Sequence, residues 1–187
     1  MRSIIPMFAF AFAAAAPVVA AETVSVPPFR SVELRGGGDV TLRAGPQQRV
    51  TIVEGSSQVS RIYVVRGGEL RIEACNNHCP RHYRLRVEIQ APRVPDVAIA
   101  GGGAIRAAGG FPAEGQLAAA VHGGGSIDLR AVAVTEVTAA VHGGGQINVR
   151  PRERLTAAVN GGGAIRYWGN PSVTMAVHGG GTVGPGY

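Results

Sequence analysis

Three histidines occupy one recurring position: His122, His142 and His178 each stand immediately before a glycine triplet, and Asn160 holds that position once between them. Neighbouring imidazoles can share a transition metal, and adjacent protonated rings repel one another, which would make such a column sensitive to pH. Asn160 interrupts the series, however, and no carboxylate recurs beside it to orient the rings. The plainer reading is a polar residue entering a corner.

A second cluster is Cys75-Asn76-Asn77-His78-Cys79, followed by His82, and it contains the only two cysteines. In an exported chain Cys75 and Cys79 are expected to pair as a disulfide. The rival is a metal site drawn from Cys75, Cys79, His78 and His82. No cofactor is expected.

Carboxylates are sparse. The three aspartates, Asp39, Asp96 and Asp128, do not share a repeating position, and most glutamates fall in the N-terminal half. No nucleophile motif appears, so a polysaccharide-active enzyme, which needs paired acids, is a minor alternative. Arg61, Arg66, Arg71, Arg81, Arg84 and Arg86 surround the cysteine loop, interleaved with Glu69, Glu73 and Glu88. Cross-strand ion pairing is expected there, with an anion-binding patch as the alternative.

The elements that position these groups follow from the glycines. The triplets are Gly36-Gly37-Gly38, Gly101-Gly102-Gly103, Gly123-Gly124-Gly125, Gly143-Gly144-Gly145, Gly161-Gly162-Gly163 and Gly179-Gly180-Gly181, and the last five are spaced by 22, 20, 18 and 18 residues. A fixed period near 20 marks a solenoid of stacked supersecondary units. Before each triplet the residues alternate with period two, as in Leu117, Ala119, Val121 and in Val173, Met175, Val177. That is strand periodicity, and these residues are expected to point inward. A second inward column follows the triplets: Ile105, Ile127, Ile147, Ile165 and Val183. The expected fold is all-β, a right-handed parallel β-helix with Gly-Gly-Gly corners and a less regular β N-terminal half.

Residues 1–21 read as a signal peptide. Arg2 is its charged start, Ile4 to Ala16 its apolar run, and Val18-Val19-Ala20-Ala21 its small-residue cleavage site. The apolar run is too short to span a bilayer, and no other such stretch follows, so no integral membrane segment is expected in the mature chain. Residues 22–187 read as a single domain, irregular over 22–94 and built of regular coils over 95–187. In the irregular part, strands are expected at Ser31–Leu34, Val40–Ala44, Arg49–Glu54, Arg61–Arg66, Glu69–Ala74 and Tyr83–Gln90, with Gly67-Gly68 turning a hairpin.

The early Gly36-Gly37-Gly38-Asp39-Val40, the five later triplets and the closing Tyr167-Trp168-Gly169-Asn170-Pro171-Ser172-Val173 together resemble the head GIN domain family, labelled auto-transporter adhesins. The resemblance runs from Phe29 to Val183 and implies a right-handed parallel β-helix. The family's aspartate after the corner survives only as Asp39, its later places being taken by Ala104, Ser126, Gln146, Ala164 and Thr182. An acidic ladder for cations is therefore not expected.

All 18 basic residues are arginine; without Arg2, 17 face 12 acids, a net charge of +5. This permits attraction to anionic surfaces, but few aromatics and no recognition helix argue against a specific nucleic-acid partner. The expected function is a non-catalytic exported module for adhesion or envelope interaction, in the periplasm or on the surface of a bacterium. Its expected partners are glycans or envelope components, and a homo-oligomer could form through the Ala/Thr face that flanks the His column. The alternative is a periplasmic metal- or ligand-binding module using His122, His142 and His178.

Overall fold

The computed structural model describes residues 21–75 and 79–186. The expected signal peptide lies outside them except for Ala21, as does His78. Seventeen strands and no helix occur among the described residues. They are β1 (Glu22–Val24), β2 (Ser31–Gly36), β3 (Asp39–Ala44), β4 (Arg49–Glu54), β5 (Arg61–Val65), β6 (Glu69–Glu73), β7 (Arg86–Ala91), β8 (Asp96–Gly101) and β9 (Ala104–Ala107). The later strands are β10 (Glu114–Gly123), β11 (Ser126–Asp128), β12 (Val134–Gly143), β13 (Gln146–Val149), β14 (Pro151–Asn160), β15 (Ala164–Tyr167), β16 (Ser172–His178) and β17 (Thr182–Pro185).

Two mixed sheets result. One runs β1-β4-β7-β3-β9-β11-β13-β15-β17, the other β16-β14-β12-β10-β8-β2-β6-β5. Successive rungs, each one strand from either sheet joined by a glycine corner, pair in parallel from β8/β9 through β16/β17. The first corner stacks directly on the second: β2 pairs with β8 and β3 with β9, bringing Gly36 opposite Gly101 across the intervening insertion.

The insertion adds an out-of-order rung. β6 lies parallel to β2 and β7 parallel to β3, so residues 69–91 stack outside residues 31–44. Antiparallel pairings then finish this end: β5 on β6, β4 on β7 and β1 on β4. The sheets are therefore partly antiparallel and not closed, unlike the wholly parallel stack that the period alone implies. The expected strands all form, although Tyr83, read as a strand start, precedes β7 by three residues. Gly67 and Gly68 turn the β5/β6 hairpin with φ of +97° and +77°.

The core is the interdigitated inner faces. Leu117, Val137 and Leu155 stack in register, as do Val121, Val141 and Val159, and all are at most 3% exposed. Ile105, Ile127, Ile147 and Ile165, on the opposite sheet, are fully buried. Met175 and Val177 continue the inward columns by register but are 61% and 40% exposed. β16 is the last strand of its sheet, so no further rung covers them.

The corners explain the glycines. Gly143 has φ +117°, and a Cβ there would stand 2.7 Å from the Gly123 carbonyl oxygen of the rung below. That oxygen accepts a hydrogen bond from the Gly144 N–H at 3.0 Å, so the carbonyl cannot swing away without loss. The middle glycine, Gly144, faces open space. Gly143→Ala should therefore lower stability by about 1–3 kcal/mol, whereas Gly144→Ala should stay within about 1 kcal/mol of the parent, on the stabilising side. Urea unfolding of the two variants checks this, and equal effects would contradict the stacking argument.

Candidate functional site

The histidine column forms in register. His122 pairs with His142, His142 with Asn160 and Asn160 with His178 along β10, β12, β14 and β16. All four side chains are exposed. The His122 and His142 rings stack with centroids 4.8 Å apart and planes 5° from parallel. Asn160 separates His178 from that pair. Among the described residues no three or more His, Cys, Asp or Glu gather to hold a metal.

Beside the column lies a strip of small residues. Ala98, Ala120, Ala140, Ala158 and Ala176 stand in register, and Ala118, Thr138, Thr156 and Thr174 form the next row. The N-terminal strands extend the sheets at one end and leave this strip open. A shallow depression of about 220 Å³ lies over it, bounded by Ala98, Ala120 and Ala140.

Cys75 and Cys79 are joined by a disulfide with Cα atoms 5.8 Å apart, which leaves neither thiolate for the rival metal site. The bridge closes a loop at the corner of the out-of-order rung, where no glycine triplet stands. Ala74 N–H donates to the Arg35 carbonyl at 3.0 Å and Asp39 N–H to the Leu85 carbonyl at 2.9 Å, which ties the loop's two ends to the neighbouring rung.

The arginines around the loop divide. Arg71 bridges Glu33 at 3.0 Å and Glu69 at 2.9 Å, while Arg86 reaches Glu54 at 3.4 Å. Arg61 lies over the Tyr63 ring at 5.3 Å. Glu88 pairs with Arg43, and Glu73 accepts a hydrogen bond from the Tyr63 hydroxyl. Cross-strand pairing thus accounts for Arg71 and Arg86; the six arginines do not converge on one pocket.

The most buried acid was not singled out by the sequence reading. Glu114 is 4% exposed and is gripped by Arg93, whose Nη2 donates to Oε2 at 2.6 Å and whose Nε donates to the same oxygen at 3.0 Å. This pair fastens residues 92–95, which link β7 to β8, to the start of β10.

A further depression was also missed. It measures about 580 Å³ on the side of the nine-stranded sheet and is lined by Arg106, Asp128, Arg130, Arg150 and Trp168. A sequence signal existed: Arg130, Arg150 and Trp168 each stand five residues after the last glycine of a triplet. Arg130 is held by Asp128, with Nε–Oδ1 2.9 Å and Nη2–Oδ2 2.6 Å, and its guanidinium lies 4.9 Å above the Trp168 ring.

Two carboxyls are held below the usual range. Burial pushes the Glu33 carboxyl up, but the hydrogen bonds and charges of Arg35 and Arg71 outweigh it. At Asp128 the Arg130 hydrogen bond dominates, against a smaller opposing push from burial. A depressed carboxyl binds its proton more weakly folded than unfolded, so both pairs stabilise the fold above the ordinary carboxylate pKa. That stabilisation is lost as pH falls through the lowered values. Glu33→Gln should therefore reduce melting temperature near neutrality and flatten its decline below about pH 4. Melting curves across that range check this, and a decline as steep as the parent's would contradict it.

The arrangement is an all-β stack with exposed repeat columns and most of its acids paired with arginines. The family described as "Putative auto-transporter adhesin, head GIN domain" matches residues 28–114 and 96–171, and the chain belongs to that family. Among curated proteins none matches. Solved structures similar to the chain include a "putative adhesin" from Bacteroides fragilis, 15% identical with TM-score 0.46, covering 89% of this chain and 96% of that one. Another is a "putative lipid binding protein" from Parabacteroides distasonis, 14% identical with TM-score 0.39, covering 90% and 96%. A "putative cell adhesion protein" from Clostridium sporogenes is 11% identical with TM-score 0.34, covering 89% and 97%.

Proposed function

We propose that this chain is a non-catalytic exported binding module, an adhesin or envelope-interaction protein of the bacterial periplasm or surface, built as a right-handed parallel β-solenoid. One observation carries the reading: among the described residues, every side-chain carboxylate apart from Glu153 already has an intramolecular partner. Glu33, Asp39, Glu54, Glu69, Glu88, Glu114, Asp128 and Glu136 pair with arginines. Glu22, Glu73 and Asp96 accept hydrogen bonds from Ser57, Tyr63 and the Ala118 N–H. Acids so engaged serve the scaffold, whereas a glycoside hydrolase needs two poised across a scissile bond. Family membership supports the same reading.

The test is binding of the chain, expressed with export, to bacterial envelope preparations and to a glycan array at low and high salt. Saturable binding that persists in high salt is expected. Binding abolished by salt would reduce the interaction to long-range attraction by excess arginine, and release of reducing sugar from the array glycans would overturn the non-catalytic reading.

The stacked His122/His142 pair favours one second reading, a metal- or ligand-binding module on that column. Stoichiometric metal retained after dialysis would support it, and a metal-free protein would remove it.

The Ala/Thr strip is the surface on which a second copy would pack, because its rows are flat, small and uncharged. Ala140→Arg with Ala158→Arg should convert an oligomer to monomer in analytical ultracentrifugation without lowering the melting temperature, both sites facing outward. A parent chain that already sediments as a monomer would eliminate this interface.

A further inference from the structure

We infer that the depression formed by Arg106, Asp128, Arg130, Arg150 and Trp168 binds the anionic group of an acidic glycan, a carboxylate or a phosphate carried on a sugar. The inference rests on the envelope-binding reading above and names its site. The volume, about 580 Å³, falls within the range of small-ligand sites, roughly 300–1,000 Å³.

Three guanidiniums face one carboxylate in it. Arg130 is fixed on two sides, by the Asp128 fork and by the Trp168 ring, so little side-chain freedom is lost when a ligand arrives. Arg106 reaches Asp39 only at 3.8 Å, a loose contact from which an incoming anion can recruit it. Arg150 is exposed and has no ion-pair partner among the described residues. Its planar fork suits a carboxylate or phosphate held by two parallel hydrogen bonds. One carboxylate against three cations leaves the depression positive, and Asp128 stays ionised because Arg130 and Arg106 both favour its charged form.

The surroundings favour a sugar polymer. Arg106, Asp128, Asn148 and Arg166 stand in register across β9, β11, β13 and β15. Hydrogen-bonding groups therefore continue past the depression in steps of about 4.8 Å, a track for the hydroxyls of an extended glycan. A single-stranded nucleic acid would need a succession of aromatic faces for its bases. Trp168 is the one aromatic lining the depression, and Arg130 covers a face of its ring.

The test is calorimetric titration of the exported chain, at near-physiological salt, with three probes: an oligogalacturonate, a phosphorylated mannan oligomer and a neutral mannan oligomer. Binding to at least one acidic probe and not to the neutral one is expected, and the preferred probe distinguishes carboxylate from phosphate. Arg150→Gln removes no internal partner and should weaken binding about tenfold or more. Arg130→Gln should do the same, while Arg66→Gln, exposed on the distant hairpin, should change nothing. Equal binding by the parent, Arg150→Gln and Arg130→Gln overturns the site and leaves the envelope-binding reading standing. Envelope material bound with neither acidic probe bound overturns the ligand class alone, and a chain that binds neither overturns both.

Discussion

The structure depends on how closely one corner can lie on the next. At four successive corners the first glycine presents its carbonyl oxygen to the rung above, 2.5–2.7 Å from where the next rung's Cβ would be. A side chain there would force the rungs apart. With glycine, the hydrogen-bond ladder passes through the corner without a break: Gln146 N–H reaches the Gly125 carbonyl at 3.0 Å and Ala164 N–H the Gly145 carbonyl at 2.9 Å. The two sheets are thereby coupled. A shift of register in one would have to break the ladder at the corner before it could move the other, and because side chains alternate with period two, a one-residue slip would turn the buried columns outward.

Register locked in this way turns sequence repetition into rows of like residues. Inward, the rows are the core, and their energetics are those of burying branched apolar side chains at close packing. Outward, the same register produces the His column, the Ala/Thr strip and the polar row from Arg106 to Arg166. The surface is thus written rung by rung. The two ends of the stack differ for the same reason. Antiparallel strands β1, β4 and β5 finish the N-terminal end, while the C-terminal end exposes Met175 and Val177, which occupy core positions in every earlier rung.

Most of the regular half was legible because period-two alternation and the glycine spacing are local signals. The stacking of Gly36 on Gly101 was not anticipated, although the two corners share their chemistry, because the insertion separates them along the chain. The placement of β6 and β7 outside β2 and β3 could not be read, because stacking order is a long-range matter and the corner of that rung is a disulfide loop. β1 escaped notice, being three residues long and paired on only one side. The His column was anticipated at its correct register because it adjoins the triplets. The arginine depression was not, although Arg130, Arg150 and Trp168 share a repeat position, because that position falls just past the short strands, where alternation stops and side-chain direction is no longer implied.

The charge distribution connects scaffold to function. Lysine is absent, and a single arginine can satisfy two acids, as Arg71 does when its Nε donates to both Glu33 and Glu69. An excess of arginine over acid therefore leaves some guanidiniums without an acid to hold, and where these fall decides what the surface attracts. Around the cysteine loop the glutamates of β2, β4 and β6 take up Arg71 and Arg86. On the regular rungs acids are scarce, so among the described residues Arg150 is left without an ion-pair partner and Arg106 with only a loose one, Asp39 at 3.8 Å. The scarcity of aspartate after the corners, which removes any acidic ladder, is also what leaves the face of the nine-stranded sheet beside Trp168 positive.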